Sequence, residues 1–163
     1  MTTLRLALMA GLAAGLLGDR GADWSIFAVA MLVLLLDGVD GWLARREGVA
    51  SEFGARFDME VDAALAAILS LVLLVDGRGG VDLLVLGGAR YAFVAASFVL
   101  PWLSHPLAPS LRRKTICVLQ IGALAVLSAP ILPDWSARPL AVVAAAFVFW
   151  SFARDIRRLA ATR

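Results

Sequence analysis

The sequence predicts an all-α integral membrane protein in which six transmembrane helices form one bundle, with both termini in the cytoplasm. Of its 163 residues, 61% are hydrophobic, whereas soluble domains are typically about 45–50% apolar. The mean hydropathy is +0.86, and apolar runs of roughly span length recur along the chain. One soluble core of this length could not bury so much apolar surface, so a soluble domain is excluded.

The chain is predicted to form a single six-helix membrane domain over residues 1–163, because no repeat, low-complexity segment or second domain interrupts the pattern. Its only cysteine, Cys117, lies in an apolar run. No internal disulfide is therefore possible, and Cys117 is interpreted as a small buried hydrophobic side chain. Nothing in the pattern of charges indicates a nucleic-acid partner.

Six apolar segments separated by polar connections are interpreted as the spans. They cover residues 4–17, 24–44, 57–75, 81–103, 115–132 and 140–152. The first is short for a span and is expected to be a tilted helix, with a cleaved signal peptide as the alternative. The connections are predicted as a polar loop at 45–56, a tight turn at 76–80 and loops at 104–114 and 133–139, followed by a basic tail.

The distribution of basic residues orients the bundle, because cytoplasmic loops of membrane proteins carry an excess of Lys and Arg. Three basic residues are predicted to lie on the outer side, namely Arg20, Arg78 and Arg138. Eleven are predicted to lie on the cytoplasmic side, namely Arg5, Arg45, Arg46, Arg56, Arg112, Arg113, Lys114, Arg154, Arg157, Arg158 and Arg163. The protein is therefore expected to be a multi-pass protein of the cell membrane, with residues 37–62 on the cytoplasmic side.

Residues 37–62 carry two pairs of aspartates, Asp37 with Asp40 and Asp58 with Asp62. Residues three or four apart share one face of a helix, so each pair can act together. Four carboxylates brought together would repel unless cations lay between them, and oxygen ligands suit a divalent metal. Capping of helix ends is the structural alternative. It explains only the second pair, because carboxylates are unfavourable near a helix C-terminus.

The same stretch resembles the signature of the CDP-alcohol phosphotransferases, the class-I CDP-alcohol phosphatidyltransferase family. It has the form D-x2-D-G-x2-A-R-x8-G-x3-D-x3-D. All eight fixed positions of the signature are filled, by Asp37, Asp40, Gly41, Ala44, Arg45, Gly54, Asp58 and Asp62.

The resemblance implies an enzyme of phospholipid biosynthesis that transfers a phosphatidyl group from CDP-diacylglycerol to a small polar alcohol or alcohol phosphate and releases CMP. By similarity, two Mg²⁺ or Mn²⁺ ions would be held by Asp37, Asp40, Asp58 and Asp62. Asp62 would also act as the general base toward the acceptor hydroxyl. The residues implied to bind the CDP group are Gly41, Ala44, Arg45, Ser51 and Gly54. Family resemblance further implies a homodimer.

The sequence defines the acceptor site less closely than the metal and CDP sites. Some relatives have a basic start to the fifth span that can bind a phosphorylated acceptor, and here Arg112, Arg113 and Lys114 stand there. Their alternative role is that of ordinary cytoplasmic anchors. Arg90, inside the fourth span, needs a partner or a wet cavity, so phosphate binding and a structural ion pair are both open. Glu60 points away from Asp58 and Asp62 on a helix and is expected to face a neighbouring helix or subunit.

Several alternatives remain open at the level of the sequence. The chain starts MTTLRLALM, without the Pro-Asn-x-Leu-Thr-like segment of many family members, so the sequence does not define donor-lipid contacts near this end. Arg56 and Glu60 also depart from the common serine- and alanine-rich version of the signature, so the acceptor cannot be inferred. A reversed reaction, from a CDP-linked small alcohol to a lipid acceptor, would use the same metals and base. A small cation transporter would place ionisable residues at mid-membrane on several spans, and here they gather at one surface. A non-catalytic membrane protein would leave the complete signature unexplained.

Overall fold

The computed structural model describes residues 7–12, 24–46, 52–104 and 111–161. Within these ranges it does not describe the side chains of residues 40–45, 52, 53, 55, 56, 104, 111, 112 and 134. The helices are α1 (7–12), α2 (Trp24–Arg46), α3 (Glu52–Val75), α4 (Val81–Val99), α5 (Leu111–Ser128) and α6 (Asp134–Ala161), with a 3-10 turn at Pro101–Ser104. All regular structure in the described part of the chain is helical, which confirms the all-α prediction.

The core lies where α3 packs against α4 and α5, and where α6 covers α4 and α5. Leu65, Leu69 and Leu73 of α3 are fully buried and stand four residues apart, so they form one stripe on that helix. Leu86 of α4 and Leu124 of α5 are fully buried against the same core cluster. α2 packs against α5 on another side. α5 therefore contacts both helices that carry the aspartates.

The turn between α3 and α4 is fastened to the end of α5. Gly77 adopts φ +72°, a left-handed conformation that favours glycine and lets the chain reverse after α3. Arg78 follows, and its guanidinium donates to the backbone carbonyls of Leu127 (3.1 Å) and Ala129 (2.9 Å). The same guanidinium pairs with Asp76, with Nε 3.3 Å from Oδ2. The tight turn predicted at 76–80 is thus confirmed, and Arg78 has a structural role in it.

α3 and α4 approach most closely at Gly87. A Cβ atom placed on Gly87 would lie 2.6 Å from Cβ of Ser70 and 3.2 Å from Cα of Ala67, closer than such atoms approach in proteins. Small residues at a crossing allow helix backbones to approach closely, as is common in membrane bundles. Nearby, the side-chain amide of Gln120 on α5 donates to the carbonyl of Leu86. This contact joins α5 to α4 at the same level.

Several helices extend further than the hydropathy pattern predicts. The predicted loop at 45–56 overlaps α3, which begins at Glu52, and the predicted loop at 104–114 overlaps α5, which begins at Leu111. The predicted fourth span, in contrast, ends earlier, at Val99. Pro101 explains this end, because a proline disfavours helical dihedrals at the preceding residue, and Leu100 indeed adopts φ −120° and ψ 85°. A helix can begin before an apolar run or continue beyond it, because its terminal turns can consist of polar residues.

α6 differs most from the prediction, since it includes both the predicted loop at 133–139 and the basic tail. The carbonyl of Pro133 accepts the backbone N–H groups of Ser136 and Ala137, which starts the helix. Pro139 lies in the second turn of this helix, where it removes one backbone hydrogen bond and its ring disfavours straight helix geometry. In the tail, Asp155 and Leu159 are buried four residues apart and continue the buried face of the helix.

Two of the described helices are long and apolar enough to cross a membrane, Val81–Val99 and Trp135–Ala161, and Trp24–Val39 is a shorter apolar helix. Large apolar side chains on the first two face outward, including Phe98 (84% exposed) and Phe149 (69%). An outward apolar surface of this kind suits contact with lipid. Six spans with both termini in the cytoplasm stay a prediction.

Gly87→Ala is expected to destabilise the bundle, because the new methyl group would collide with Ser70 and Ala67. Overpacking of this kind typically costs about 1–3 kcal/mol. Thermal unfolding in detergent, followed by circular dichroism, would measure a lower midpoint. Gly88→Ala is the matched control, since its Cβ would meet nothing within 4 Å. Equal unfolding midpoints for the two variants would show that the contact between α3 and α4 can accommodate a methyl group at residue 87.

Candidate active site

Asp37 is a buried carboxylate in the second half of α2. Only 7% of the residue is exposed. Burying a charged carboxylate is costly unless other groups compensate for the lost water. Asp40 follows one turn later on the same helix, and its side chain lies outside those described. The burial of Asp37 gives α2 an ionisable group in the interior of the bundle rather than on its surface.

Asp58 and Asp62 stand on α3 and are half-buried. Because α3 begins at Glu52, both lie beyond the first turn of the helix. The favourable interaction of a carboxylate with the helix dipole falls off within that turn. The capping interpretation, which the sequence left open for this pair, therefore loses its physical basis. Asp58 and Asp62 instead share one face of α3, because they are four residues apart.

One of the predicted ligands, Asp62, contacts α5. Sγ of Cys117 lies 3.6 Å from Oδ2 of Asp62. This contact brings a carboxylate of α3 against α5. The grouping of the four aspartates in one site stays a prediction.

The donor set fits a hard divalent cation. Carboxylate oxygens are the ligands that Mg²⁺ and Mn²⁺ prefer, whereas a thiol suits softer metals. Among the side chains that the structure describes, no group of three or more His, Cys, Asp or Glu residues is arranged closely enough to hold a metal ion. Asp40, the fourth predicted ligand, is not among those side chains. A metal site at these aspartates therefore stays a prediction.

The residues predicted to bind the CDP group lie in the sequence around the end of α2 and the start of α3. Gly41, Ala44 and Arg45 belong to the last turns of α2, where only the backbone is described. Gly54 is exposed and lies in the first turn of α3, not in the loop where the sequence placed it. Ser51 lies outside the described residues. The exposed Gly54 leaves this end of α3 accessible to a ligand.

Arg90 and Glu60 form an ion pair between α4 and α3, in which Nη2 of Arg90 donates to Oε1 of Glu60. The sequence left phosphate binding and an ion pair open for Arg90, and the structure contains the ion pair. It also places Glu60 toward a neighbouring helix, as expected. A long basic side chain of this kind can extend along apolar surface to reach a charged partner.

The basic cluster of Arg112, Arg113 and Lys114 forms the start of α5 rather than the end of a loop. Arg113 is half-buried and Lys114 is exposed, and the side chain of Arg112 is not described. Cations near a helix N-terminus oppose the helix dipole, so intrahelical electrostatics does not account for them. The free backbone N–H groups of a helix start and nearby cations together favour an anion.

Comparison with known proteins now gives the family. A family model described as CDP-alcohol phosphatidyltransferase matches residues 1–151. The chain belongs to this family. No curated protein and no solved structure gives a significant match. Members of the family transfer substituted phosphate groups, so this chain is a transferase of phospholipid biosynthesis that acts on a CDP-alcohol. Together with the apolar helices, the family membership indicates a membrane enzyme.

Cys117 is the residue of this phosphatidyltransferase that sequence analysis missed at the site. It was interpreted as a small buried hydrophobic side chain, yet it contacts Asp62. One signal was available, because Cys117 follows the basic cluster by one turn and should lie near the level of the aspartates. That signal gives the depth of a residue in the membrane but not the direction of its side chain.

The Arg90–Glu60 ion pair predicts that charge can be exchanged between the two positions. Arg90→Glu and Glu60→Arg should each lower the thermal unfolding midpoint in detergent, because each places two like charges at one contact. The double variant should recover most of the loss, since it restores opposite charges. Lack of recovery in the double variant would show that the two side chains do not stabilise the bundle through each other.

Proposed function

We propose that this phosphatidyltransferase uses CDP-diacylglycerol as donor, transfers its phosphatidyl group to a small polar alcohol or alcohol phosphate, and releases CMP. The observation that carries the proposal is the family membership, and the buried carboxylate of Asp37 on α2 supports it. Ionisable groups gathered at membrane depth are expensive and typically functional. We further propose that the chain spans the membrane six times with this site on the cytoplasmic side, where a water-soluble nucleotide product could leave directly.

The aspartates are proposed to hold two divalent cations, Mg²⁺ or Mn²⁺, through Asp37, Asp40, Asp58 and Asp62. When bound, the cations would neutralise the diphosphate and stabilise the leaving oxygen. Asp62 is proposed as the general base that takes the proton of the acceptor hydroxyl on a carboxylate oxygen. The acceptor oxygen then forms a bond to the phosphorus of the phosphatidyl group, and the bond from that phosphorus to the oxygen of CMP breaks.

The CDP group is proposed to lie across the facing ends of α2 and α3. Gly41 and Ala44 are small and would let the nucleotide approach the backbone of α2. Arg45 would donate to diphosphate oxygens through its planar guanidinium. Ser51 and Gly54 would line the opposite side, and the exposure of Gly54 supports this role.

The start of α5 is the proposed acceptor site, and it favours an acceptor that carries a phosphate. Arg112, Arg113 and Lys114 stand on its first turn, where cations and free backbone N–H groups coincide. Arg90 is a weaker candidate for binding the acceptor phosphate, because its guanidinium already pairs with Glu60. An alcohol phosphate is therefore a better candidate for the acceptor than an uncharged alcohol.

A homodimer is also proposed, with the face formed by α3 and α4 meeting a second copy. The side chains of Glu60 and Arg90 are 54% and 32% exposed on this face. Lipid would solvate such charges poorly, so a protein partner suits the surface better. Light scattering of the purified protein, corrected for detergent, would give the mass of one chain if this proposal is wrong.

The reaction is tested by CMP release from purified protein in detergent. CDP-diacylglycerol would be supplied with Mg²⁺ or Mn²⁺ and a panel of small alcohols and alcohol phosphates. CMP should appear with one acceptor class, should require that acceptor, and should stop when a chelator removes the metal. Absence of CMP with every acceptor, from folded protein that binds CDP, would favour the reversed reaction. Failure to bind CDP would exclude the proposed function.

Asp62→Asn is expected to remove most of the turnover, by about 10²–10⁴-fold, because an amide cannot accept the acceptor proton. Binding of the CDP donor, measured separately by equilibrium binding, should largely persist. Asp82→Asn is the matched control, since Asp82 lies at the start of α4 and an amide oxygen can still accept the Gly80 N–H. Normal turnover by Asp62→Asn would exclude the base role.

A further inference from the structure

The outward face of α6 carries an apolar groove with a volume of about 350 Å³. The groove is lined by Val143, Ala146, Phe147 and Trp150. All four residues are exposed. They recur at intervals of three and four residues, so they share one face of the helix. At 1.5 Å per residue, the groove runs along α6 for about 10 Å.

This face is turned away from the rest of the bundle. Ala141, Ala145 and Val148 are buried on the opposite side of α6 and belong to the core. On that side α6 packs against α4 and α5, whereas the aspartates of the signature stand on α2 and α3. The groove is therefore separate from the proposed catalytic site.

Two arginines follow the groove on the same face of α6. Arg154 lies one turn beyond Trp150, Arg157 lies three residues further, and both are exposed. Cζ of Arg154 lies 5.7 Å from the centroid of the Trp150 ring, a cation–π contact that holds the guanidinium at the end of the groove. This contact uses none of the guanidinium N–H donors, which suit phosphate oxygens. The nearby carboxylate of Asp155 is buried on another side of the helix.

The spacing along α6 brings these arginines to the depth of lipid phosphates. Trp135, near the start of the helix, is exposed, and tryptophans are typical of the membrane interface. Arg154 lies about 29 Å further along the helix axis. The hydrocarbon core of a bilayer is about 30 Å thick. When α6 crosses a membrane, the groove therefore faces acyl chains and Arg154 reaches the headgroups.

We propose that the groove on α6 binds one phospholipid with an anionic headgroup, with an acyl chain along the groove and the headgroup phosphate on Arg154 and Arg157. A phospholipid joins an apolar chain to a phosphate, as this face of α6 joins an apolar groove to two cations. A soluble anion would leave the groove empty. The site requires only that α6 is embedded in a membrane, so it does not depend on the proposed transfer reaction.

A second copy of the chain suits this face less well. If two copies met at α6 about a two-fold axis normal to the membrane, the arginines of both copies would lie at the same depth and close together. Like charges at one contact oppose such a dimer. An anionic lipid instead neutralises them, because a basic side chain near the surface of an anionic membrane is attracted to its headgroups.

Quenching of Trp150 fluorescence by brominated lipids tests the site, because bromine on an acyl chain quenches only nearby tryptophans. The protein would be reconstituted in phosphatidylcholine vesicles that contain brominated phosphatidylglycerol or brominated phosphatidylcholine at equal mole fraction. The difference between wild type and Trp150→Phe isolates the contribution of Trp150. Phosphatidylglycerol should bind beside Trp150 about fivefold more strongly, the scale of one arginine at a membrane surface. Equal quenching by the two lipids would overturn the proposal.

The double variant Arg154→Gln, Arg157→Gln should abolish this preference, because it removes both cations. Each signal is compared with that of the same variant in lipid without bromine, since the loss of Arg154 also changes the emission of Trp150. Arg138→Gln is the matched control, because it removes one exposed arginine at the other end of α6. A preference that persists in the double variant, or one that disappears in the control, would overturn the role of the two arginines.

Ala146→Leu tests the groove, because the larger side chain would fill it while both arginines remain. The preference for phosphatidylglycerol beside Trp150 should fall. Val142→Leu is the matched control, since Val142 is exposed on α6 but does not line the groove. An unchanged preference in Ala146→Leu would mean that anionic lipid gathers at the arginines without a groove, which contradicts the proposal.

Two further outcomes identify other occupants. Inorganic phosphate should not reduce the preference more than sodium chloride at the same ionic strength, which controls for screening. A specific loss with phosphate would identify a soluble anion as the ligand and overturn the proposal. Little quenching of Trp150 by either brominated lipid would show that protein covers this face, and would overturn it as well.

Discussion

Buried charge sets the main constraint on this molecule. Asp37 of α2 is almost fully buried, and Asp62 of α3 is half-buried against Cys117 of α5. A carboxylate removed from water is costly, so the helices that carry these groups must be held by other contacts. The packing of α2 and α3 against α5 provides them, with Leu65 and Leu124 fully buried in the shared core. In the proposed function, divalent cations would compensate the charge of the aspartates and give the site affinity for a diphosphate.

Specific polar contacts fasten the end of the bundle away from the aspartates. Arg78 ties the turn after α3 to two carbonyls at the end of α5. Further along, the missing side chain of Gly87 lets α4 lie directly against Ser70 of α3. These contacts fix the relative positions of α3, α4 and α5.

α3 presents different chemistry on its different faces. Asp58 and Asp62 share one face, and Asp62 meets Cys117 of α5. Glu60 lies between them in sequence, about 200° around the helix from each, and meets Arg90 of α4. One helix can therefore supply carboxylates to the proposed site and an ion pair to the opposite face. Because of the ion pair, Arg90 is a weaker candidate for the proposed acceptor site than the basic residues at the start of α5.

The sequence predicted best those features that depend on neighbouring residues in the chain. The turn at 76–80 was predictable, because a glycine-rich stretch between two apolar runs favours a reversal of the chain. The extent of the helices was not, because hydropathy reports the apolar part of a helix and not its polar turns. α6 shows this clearly, since its tail continues a buried face through Asp155 and Leu159 although it carries arginines.

The sequence by itself determined the family and the chemical types at the candidate site, because the signature at 37–62 specifies residues at fixed spacings along one chain. It predicted that the two pairs of aspartates meet in one site. Only the tertiary structure decided which other side chains join them. Cys117 beside Asp62, and Glu60 beside Arg90, are contacts between different helices. Such contacts depend on how each helix is rotated about its axis and how deep it sits, and packing across the whole bundle sets both.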